Sequence, residues 1–304
     1  MLRSLILGIA NARWFRRLAT GTAPGRSLAG RFVAGETLVE ALAVARDLTD
    51  QGMRVMLNHL GENVDSPQEA LEAREAYLAE IAAAAAAPEL DAILSLKLTQ
   101  LGLDDSVDAC WANVEPILAD AAATATVVMI DMEDHTTVDA TLEIVRRANE
   151  RLPGTGVAIQ AYLRRSADDV FGLPAGCRVR LVKGAYLEPH DVVLGSKAEV
   201  DANLRRLFAT LLARGHPVDV ATHDPALLEA VAERVDAIED AWSRVEFQML
   251  YGVRRDLQRR FASQGYPVRV YIPYGTEWYP YLTRRLAERP ANLWFFLSNL
   301  VRTR

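Results

Sequence analysis

Eight short apolar runs, each followed by a longer stretch, constrain the fold of this chain more than any other feature. They fall at 54–58, 92–96, 126–130, 157–161, 178–182, 218–221, 245–249 and 268–272, four or five residues each and rich in Val, Ile, Leu and Met. Apolar runs of that length suit strands buried on both faces of a parallel sheet. The intervening stretches predict helices at 67–87, 107–123, 137–151, 197–214, 226–234, 254–264 and 278–288. Pro88, Gly154 and Gly215 stand where helix stops are expected. Only the interval between the fourth and fifth runs lacks a long helix, with a short one at 166–171. The expected class is α/β, a (β/α)8 TIM-type barrel, which takes roughly 250 residues plus insertions. An open doubly wound sheet is the alternative, but no run is followed by G-x-G-x-x-G.

Residues 1–50 fit no strand–helix unit. They read as helices at 2–18 and 37–51 packed outside the barrel, joined by a Gly/Ala/Ser-rich linker at 20–30. The expected organisation is an N-terminal helical arm, 1–50, and a barrel catalytic domain, 51–304. The first apolar residues reach Asn11 and Arg13 too early for a membrane span of about 20 residues, and no small-residue cleavage site precedes Trp14. A net charge of −6 gives no footprint for nucleic acid. Two cysteines, Cys110 and Cys177, can form neither a disulfide framework nor a four-ligand zinc site, which fits a cytoplasmic compartment.

In such a barrel, chemistry collects on the loops after the strands. Lys97, Asp131, Gln160, Arg180, Lys183, His223 and Gln248 all fall at strand ends of equivalent height. Each alone has a plain structural role. Lys97 can be a surface lysine, Asp131 a helix cap, Arg180 its ion-pair partner, and the glutamines can satisfy barrel backbone. Seven together at one end favour a site, because polar groups in an apolar barrel are costly unless used. Asp131, Glu133, Asp134, His135 and His223 could ligate a metal, but no H-x-H or H-E-x-x-H spacing supports it, and no metal is expected. No G-x-S-x-G elbow announces a serine nucleophile. A Schiff-base lyase using Lys97 or Lys183 is the enzyme alternative. A barrel serving only as a binding scaffold is the non-enzyme alternative.

Five ordered segments carry a specific resemblance: Lys97-Leu98-Thr99-Gln100-Leu101-Gly102, Arg180-Leu181-Val182-Lys183-Gly184-Ala185-Tyr186, Ala221-Thr222-His223, Glu246-Phe247-Gln248-Met249-Leu250-Tyr251-Gly252 and Tyr281-Leu282-Thr283-Arg284-Arg285-Leu286-Ala287-Glu288. From Lys97 onward the chain resembles the flavin-dependent proline dehydrogenases, in the length of the monofunctional bacterial type, with no aldehyde dehydrogenase domain following. The resemblance implies FAD at the mouth of the barrel. It implies oxidation of L-proline to 1-pyrroline-5-carboxylate, the first step of proline degradation to glutamate, with electrons passed to a quinone. It implies Asp131 and Arg180 as catalytic residues. Lys97, Arg284 and Arg285 would hold the proline carboxylate, with Tyr271, Tyr281 and Leu181 around the ring. Met132, Gln160, Arg180, Val182, Lys183, Gly184, Ala185, Tyr186, Thr222, His223 and Gln248 would contact the flavin. Two positions depart from the family pattern: Asp224 stands where Asn is usual, and Tyr274 where a smaller residue is expected.

The chemistry adds a constraint. In the reaction the resemblance implies, hydride would leave proline C5 for flavin N5, so the ring would have to lie flat on the flavin at about 3–3.5 Å. A carboxylate clamped by arginine and a second cation fixes that pose. Adjacent arginines diverge on a helix, so the eighth helix is expected to be displaced over the mouth. The tail at 292–304 is apolar and then basic, which suits either packing on the barrel or peripheral contact with the inner face of the cell membrane.

Overall fold

The computed structural model describes residues 29–61, 64 and 66–288. The expected helix at 2–18, most of the 20–30 linker and the 292–304 tail lie outside them. Eight parallel strands close into a barrel in sequence order, with β8 beside β1. They are β1 (Arg54–His59), β2 (Ala92–Leu96), β3 (Val128–Ile130), β4 (Gly156–Gln160), β5 (Val179–Val182), β6 (Val218–Ala221), β7 (Val245–Leu250) and β8 (Val268–Tyr274). The helices are α1 (Leu38–Asp50), α2 (Pro67–Ala86), α3 (Val107–Thr124), α4 (Val138–Arg151), α5 (Ser166–Phe171), α6 (Lys197–Ala213), α7 (Pro225–Asp236), α8 (Arg255–Ser263) and α9 (Trp278–Glu288).

Local chemistry sets the helix starts. Ser66, Ser106 and Ser196 each accept a backbone N–H three residues on, and Asp224 accepts from Ala226 N at 3.2 Å. Thr37 and Glu40 form a reciprocal capping box for α1. Helix α1 packs against β1 and β8, so the described part of the 1–50 segment belongs to the barrel's own outer layer. Strand β8 runs two residues past its expected end because Pro273 and Tyr274 pair with Asn58 and His59. Strand β3 starts at Val128, two residues later than expected.

Two hydrophobic layers result. The larger lies between sheet and helices and includes Leu57, Leu94, Val179, Leu181, Val220 and Phe247. A small plug of Met56, Ile93 and Met129, with Tyr271 against it, sits inside the barrel. Side chains alternate across a strand, so Arg178 and Arg180 share the inner face of β5 while Leu181 faces the helices. Below the mouth the interior is ionic. Arg178 meets Asp219 (2.7 Å) and Glu246 (3.1 Å), and Arg269 meets Glu246 (2.6 Å). Burial pushes the Asp219 carboxyl up and Glu246 adds to this, while Arg178 opposes it. Glu246 is also buried, but Arg269 and Arg178 overcome that and hold it low.

Candidate active site

A cavity of about 690 Å³ opens at the C-terminal ends of the strands, within the range of small-molecule sites. Its floor is built on Asp131, directly after β3. One carboxylate oxygen accepts from the Ser95 hydroxyl (2.6 Å) and from the Arg180 guanidinium; the other accepts from Lys97 Nζ (2.9 Å) and the Tyr271 hydroxyl (3.0 Å). Four donors on two oxygens fill the acceptor capacity of a carboxylate. Burial alone would raise the Asp131 carboxyl, but Lys97 and Arg180, with Ser95, hold it well below the usual carboxylate range. Tyr271 is pushed well above the usual phenol value by burial and by Asp131, so it stays a donor.

Lys97, Asp131 and Arg180 are 6%, 7% and 5% exposed. Buried charges persist only when paired and hydrogen-bonded. Arg180 meets that need four ways: through Asp131, Ser95 Oγ (3.1 Å), the Met56 sulfur and Gln248 Oε1 (2.9 Å). Its guanidinium also lies 5.4 Å from the Tyr271 ring centroid. Gln248 then donates to Asp219 (2.8 Å) and Glu246 (3.0 Å), joining the floor to the ionic layer below.

The walls divide by chemistry. Met132, Ala158, Val182, Ala221, Met249 and Leu250 give apolar surface. Gly184, Ala185 and Tyr186 bring loop residues to the cavity. Gly184 has φ +123°, and a Cβ there would lie 2.2 Å from the Tyr162 ring, so no other residue fits without movement. That loop is tied down by Glu188, which accepts from Tyr162 Oη (3.2 Å) and His135 N (3.0 Å) and also meets His135 Nδ1. Gln160 donates to the Glu133 carbonyl at 2.8 Å. His223 Nε2 accepts from Leu250 N at 3.0 Å, so that nitrogen carries no proton. Cations stand on the outer wall. Lys183 pairs with Asp201 (2.7 Å) and Asp224 (3.0 Å), and Lys197 reaches Asp224 at 3.2 Å.

The structure thus brings Lys97, Asp131, Met132, Gln160, Arg180, Val182, Lys183, Gly184, Ala185, Tyr186, Thr222, His223, Gln248, Tyr271 and Tyr281 to one cavity. Leu181 is a correction. It does not line the cavity but lies fully buried between sheet and helices, because it has the opposite strand parity to Arg180. Helix α9 carries Tyr281 into the cavity wall, as a helix displaced over the mouth must. Arg284 and Arg285 follow on the same helix, and only their backbone is described.

Sequence reading missed Ser95, Lys197 and Arg254. Ser95 could have been found two residues before Lys97, on the same face of β2. The acidic run after β3 has structural work: Glu133 accepts from Thr99 N (3.0 Å) and Thr99 Oγ1 (2.7 Å), and Asp134 accepts from Thr136 N (2.9 Å). No three His, Cys, Asp or Glu side chains converge as a metal site among the described residues. Nor is any described helix long and apolar enough to cross a membrane.

The Asp224 departure is accommodated locally, because this residue caps α7 and its charge is met by Lys183 and Lys197. Tyr274 does not line the cavity; its buried ring packs 5.4 Å from that of His59.

The family model described as "Proline dehydrogenase" matches residues 41–297. The chain is 40% identical over 282 residues to "Proline dehydrogenase" of Deinococcus radiodurans, covering 91% of each. It is 35% identical over 301 residues to "Proline dehydrogenase 2" of Bacillus subtilis strain 168, covering 99% of each. Among solved structures it is similar to proline utilization A from Bdellovibrio bacteriovorus, inactivated by N-propargylglycine. There the TM-score is 0.77 and the identity 28%, over 86% of this chain and 32% of that much longer one.

Proposed function

The chain belongs to the proline dehydrogenase family, and from that premise we propose that it oxidises L-proline to 1-pyrroline-5-carboxylate with FAD as cofactor and a quinone as electron acceptor. The reaction opens proline catabolism. One observation carries the reading: Lys97, Asp131, Arg180, Tyr271 and Tyr281 converge on one cavity that also has a glycine-dependent loop and two lysines on its outer wall.

The residues fit a flavin dinucleotide. Apolar wall between β4 and β7 suits a planar ring system, and the Tyr162 ring packed on Gly184 fixes the path of the loop that lines the cavity beside it. Lys183 and Lys197 suit a diphosphate. Gln160, Val182, Gly184, Ala185, Tyr186, Thr222, His223 and Gln248, with Met132, would hold the cofactor, and Arg180 would lie beside its redox centre. When bound, the flavin would accept the hydride from proline C5.

The chain's own residues position and polarise. Lys97, with Arg284 and Arg285 from α9, would hold the proline carboxylate, and Tyr271 and Tyr281 would flank the ring. Asp131 holds Lys97 and Arg180 in place through direct hydrogen bonds. Arg180 places a fixed positive charge where negative charge accumulates.

Purified holoprotein should be yellow, and anaerobic L-proline should bleach it. Protein that lacks flavin and fails to bind added FAD would overturn the reading. The Schiff-base alternative loses support because the Nζ atoms of Lys97 and Lys183 are both engaged by carboxylates, Asp131 for the one and Asp201 and Asp224 for the other, rather than presented to a substrate carbonyl. Borohydride trapping of substrate on either lysine would revive it.

A further inference from the structure

Behind the cavity lies a second polar cluster, none of whose members lines it. Tyr77 and Glu80 stand one turn apart on α2, both with 0% exposure. The Tyr77 hydroxyl accepts from the Lys97 backbone N–H (3.2 Å) and donates to Gln100 Oε1 (2.7 Å). The Gln100 amide is 3.0 Å from His59 Nδ1. The His59 ring in turn packs edge-on to Tyr77, with centroids 6.4 Å apart, and lies 5.4 Å from the Tyr274 ring.

Glu80 is the anomaly. Neither of its carboxyl oxygens has a hydrogen bond of normal geometry, and the Tyr274 hydroxyl is the polar group that acts on it. An isolated buried carboxylate is costly, and a leucine would pack there without that cost. Tyr274 ends β8; its carbonyl accepts from Leu60 N at 2.7 Å. Gly275 follows with φ +121°, and then α9 begins at Trp278. One helix therefore touches both segments that bring cations to the substrate. Tyr77 reaches Lys97, and Glu80 reaches the junction leading to Tyr281, Arg284 and Arg285.

We propose that Tyr77 and Glu80 are positioning residues for the substrate-carboxylate site, holding the Lys97 backbone from behind and fixing the junction from which α9 departs. The inference rests on the reading that Lys97 and α9 bind the proline carboxylate. Burial pushes the Glu80 carboxyl up to about 8, with Tyr274 opposing, so the neutral form predominates at pH 7. The groups around it are Tyr77 on α2 and Tyr274 on β8, with His59 of β1 beside both rings and Lys97 and Asp131 acting on Tyr77 from β2 and β3. Ionising Glu80 would place against β8 a buried anion that only the Tyr274 hydroxyl opposes, without a cation beside it, and would loosen the junction.

The test uses holoprotein and compares wild type, Glu80→Gln, Tyr274→Phe and Tyr77→Phe from pH 6 to 9. It reads KM and kcat for L-proline, and by calorimetry the Kd of a non-oxidisable five-membered-ring carboxylate. Taking the ratio of wild-type to Glu80→Gln KM cancels the substrate's own ionisation. That ratio should rise about tenfold between pH 7 and 9, with kcat in constant ratio. The Kd ratio should follow. Tyr77→Phe should raise KM about fivefold with little change in kcat. A pH-independent ratio together with an unchanged KM for Tyr77→Phe would overturn the proposal. If Glu80→Gln fails to fold, Glu80→Leu, which also lacks the ionisable group, takes its place in the ratio. Wild-type flavin that proline cannot reduce would instead count against the proposed function.

Discussion

Arg180 on β5 and Asp131 at the end of β3 meet across the barrel mouth, each less than a tenth exposed. Lys97 and the guanidinium together hold the carboxylate in its ionised form against its burial, and the carboxylate is the anion that faces both cations inside the barrel. Asp131→Asn should therefore cost about 3 kcal/mol of stability at pH 7, because it leaves two buried cations short of an anion. It should also lower kcat at least a hundredfold. Thermal melts and steady-state kinetics check both.

The same pair sets an acid limit. The folded Asp131 carboxyl lies below its unfolded value, so its stabilisation is fully present above about pH 5, where the unfolded chain is also ionised. It is lost as pH falls toward the folded value. The stability gap between wild type and Asp131→Asn should be flat from pH 5 to 7 and shrink below pH 4. A gap unchanged at pH 3 would refute the assignment.

Glu80 has the opposite sign. Its folded carboxyl is raised to about 8, so between about pH 4.5 and 8 the unfolded chain releases a proton that the folded chain keeps. Stability should fall with rising pH in that window, by on the order of 1 kcal/mol per unit. Glu80→Gln should remove this slope in urea titrations at pH 5, 6.5 and 8.

Gly184→Ala forces a Cβ into the Tyr162 ring at a positive φ. The loop must move, and the purified variant should carry far less flavin, with FAD affinity reduced about tenfold or more. Fluorescence titration of stripped protein with FAD measures it.

Asn is as good a helix cap as Asp, so Asp224→Asn should keep α7 intact. It removes an anion facing Lys183 and Lys197. FAD should then bind about threefold tighter at low salt while riboflavin, lacking the diphosphate, binds unchanged. Equal effects on both ligands would show that Asp224 does not act through charge.

The barrel and most of its mouth were legible because both follow from one-dimensional patterns. Short Val-rich runs mark β5 and β8, and the charges that interrupt or follow such runs, Arg180 and Lys183 among them, mark the site. Leu181 was misplaced because family likeness outweighed strand parity: the residue beside an inward arginine must face out. Tyr77 and Glu80 were invisible for another reason. Helix α2 is rich in Ala and Glu and reads as a solvated helix, so the burial of one glutamate is decided by contacts with β8 nearly two hundred residues away. Asp219 and Glu246 were readable in principle, since their strands carry acids at inward positions opposite Arg178 and Arg269.

Closure by β1 and β8 has a consequence for synthesis. Six paired residues join 54–59 to 269–274, the longest ladder in the barrel. The first strand therefore waits on the ribosome with an open edge until the last has emerged, and helix α1, which packs on both, has only half its seat until then. Nascent chains halted before Tyr274 should be the ones that chaperones hold and that pair with the wrong neighbour.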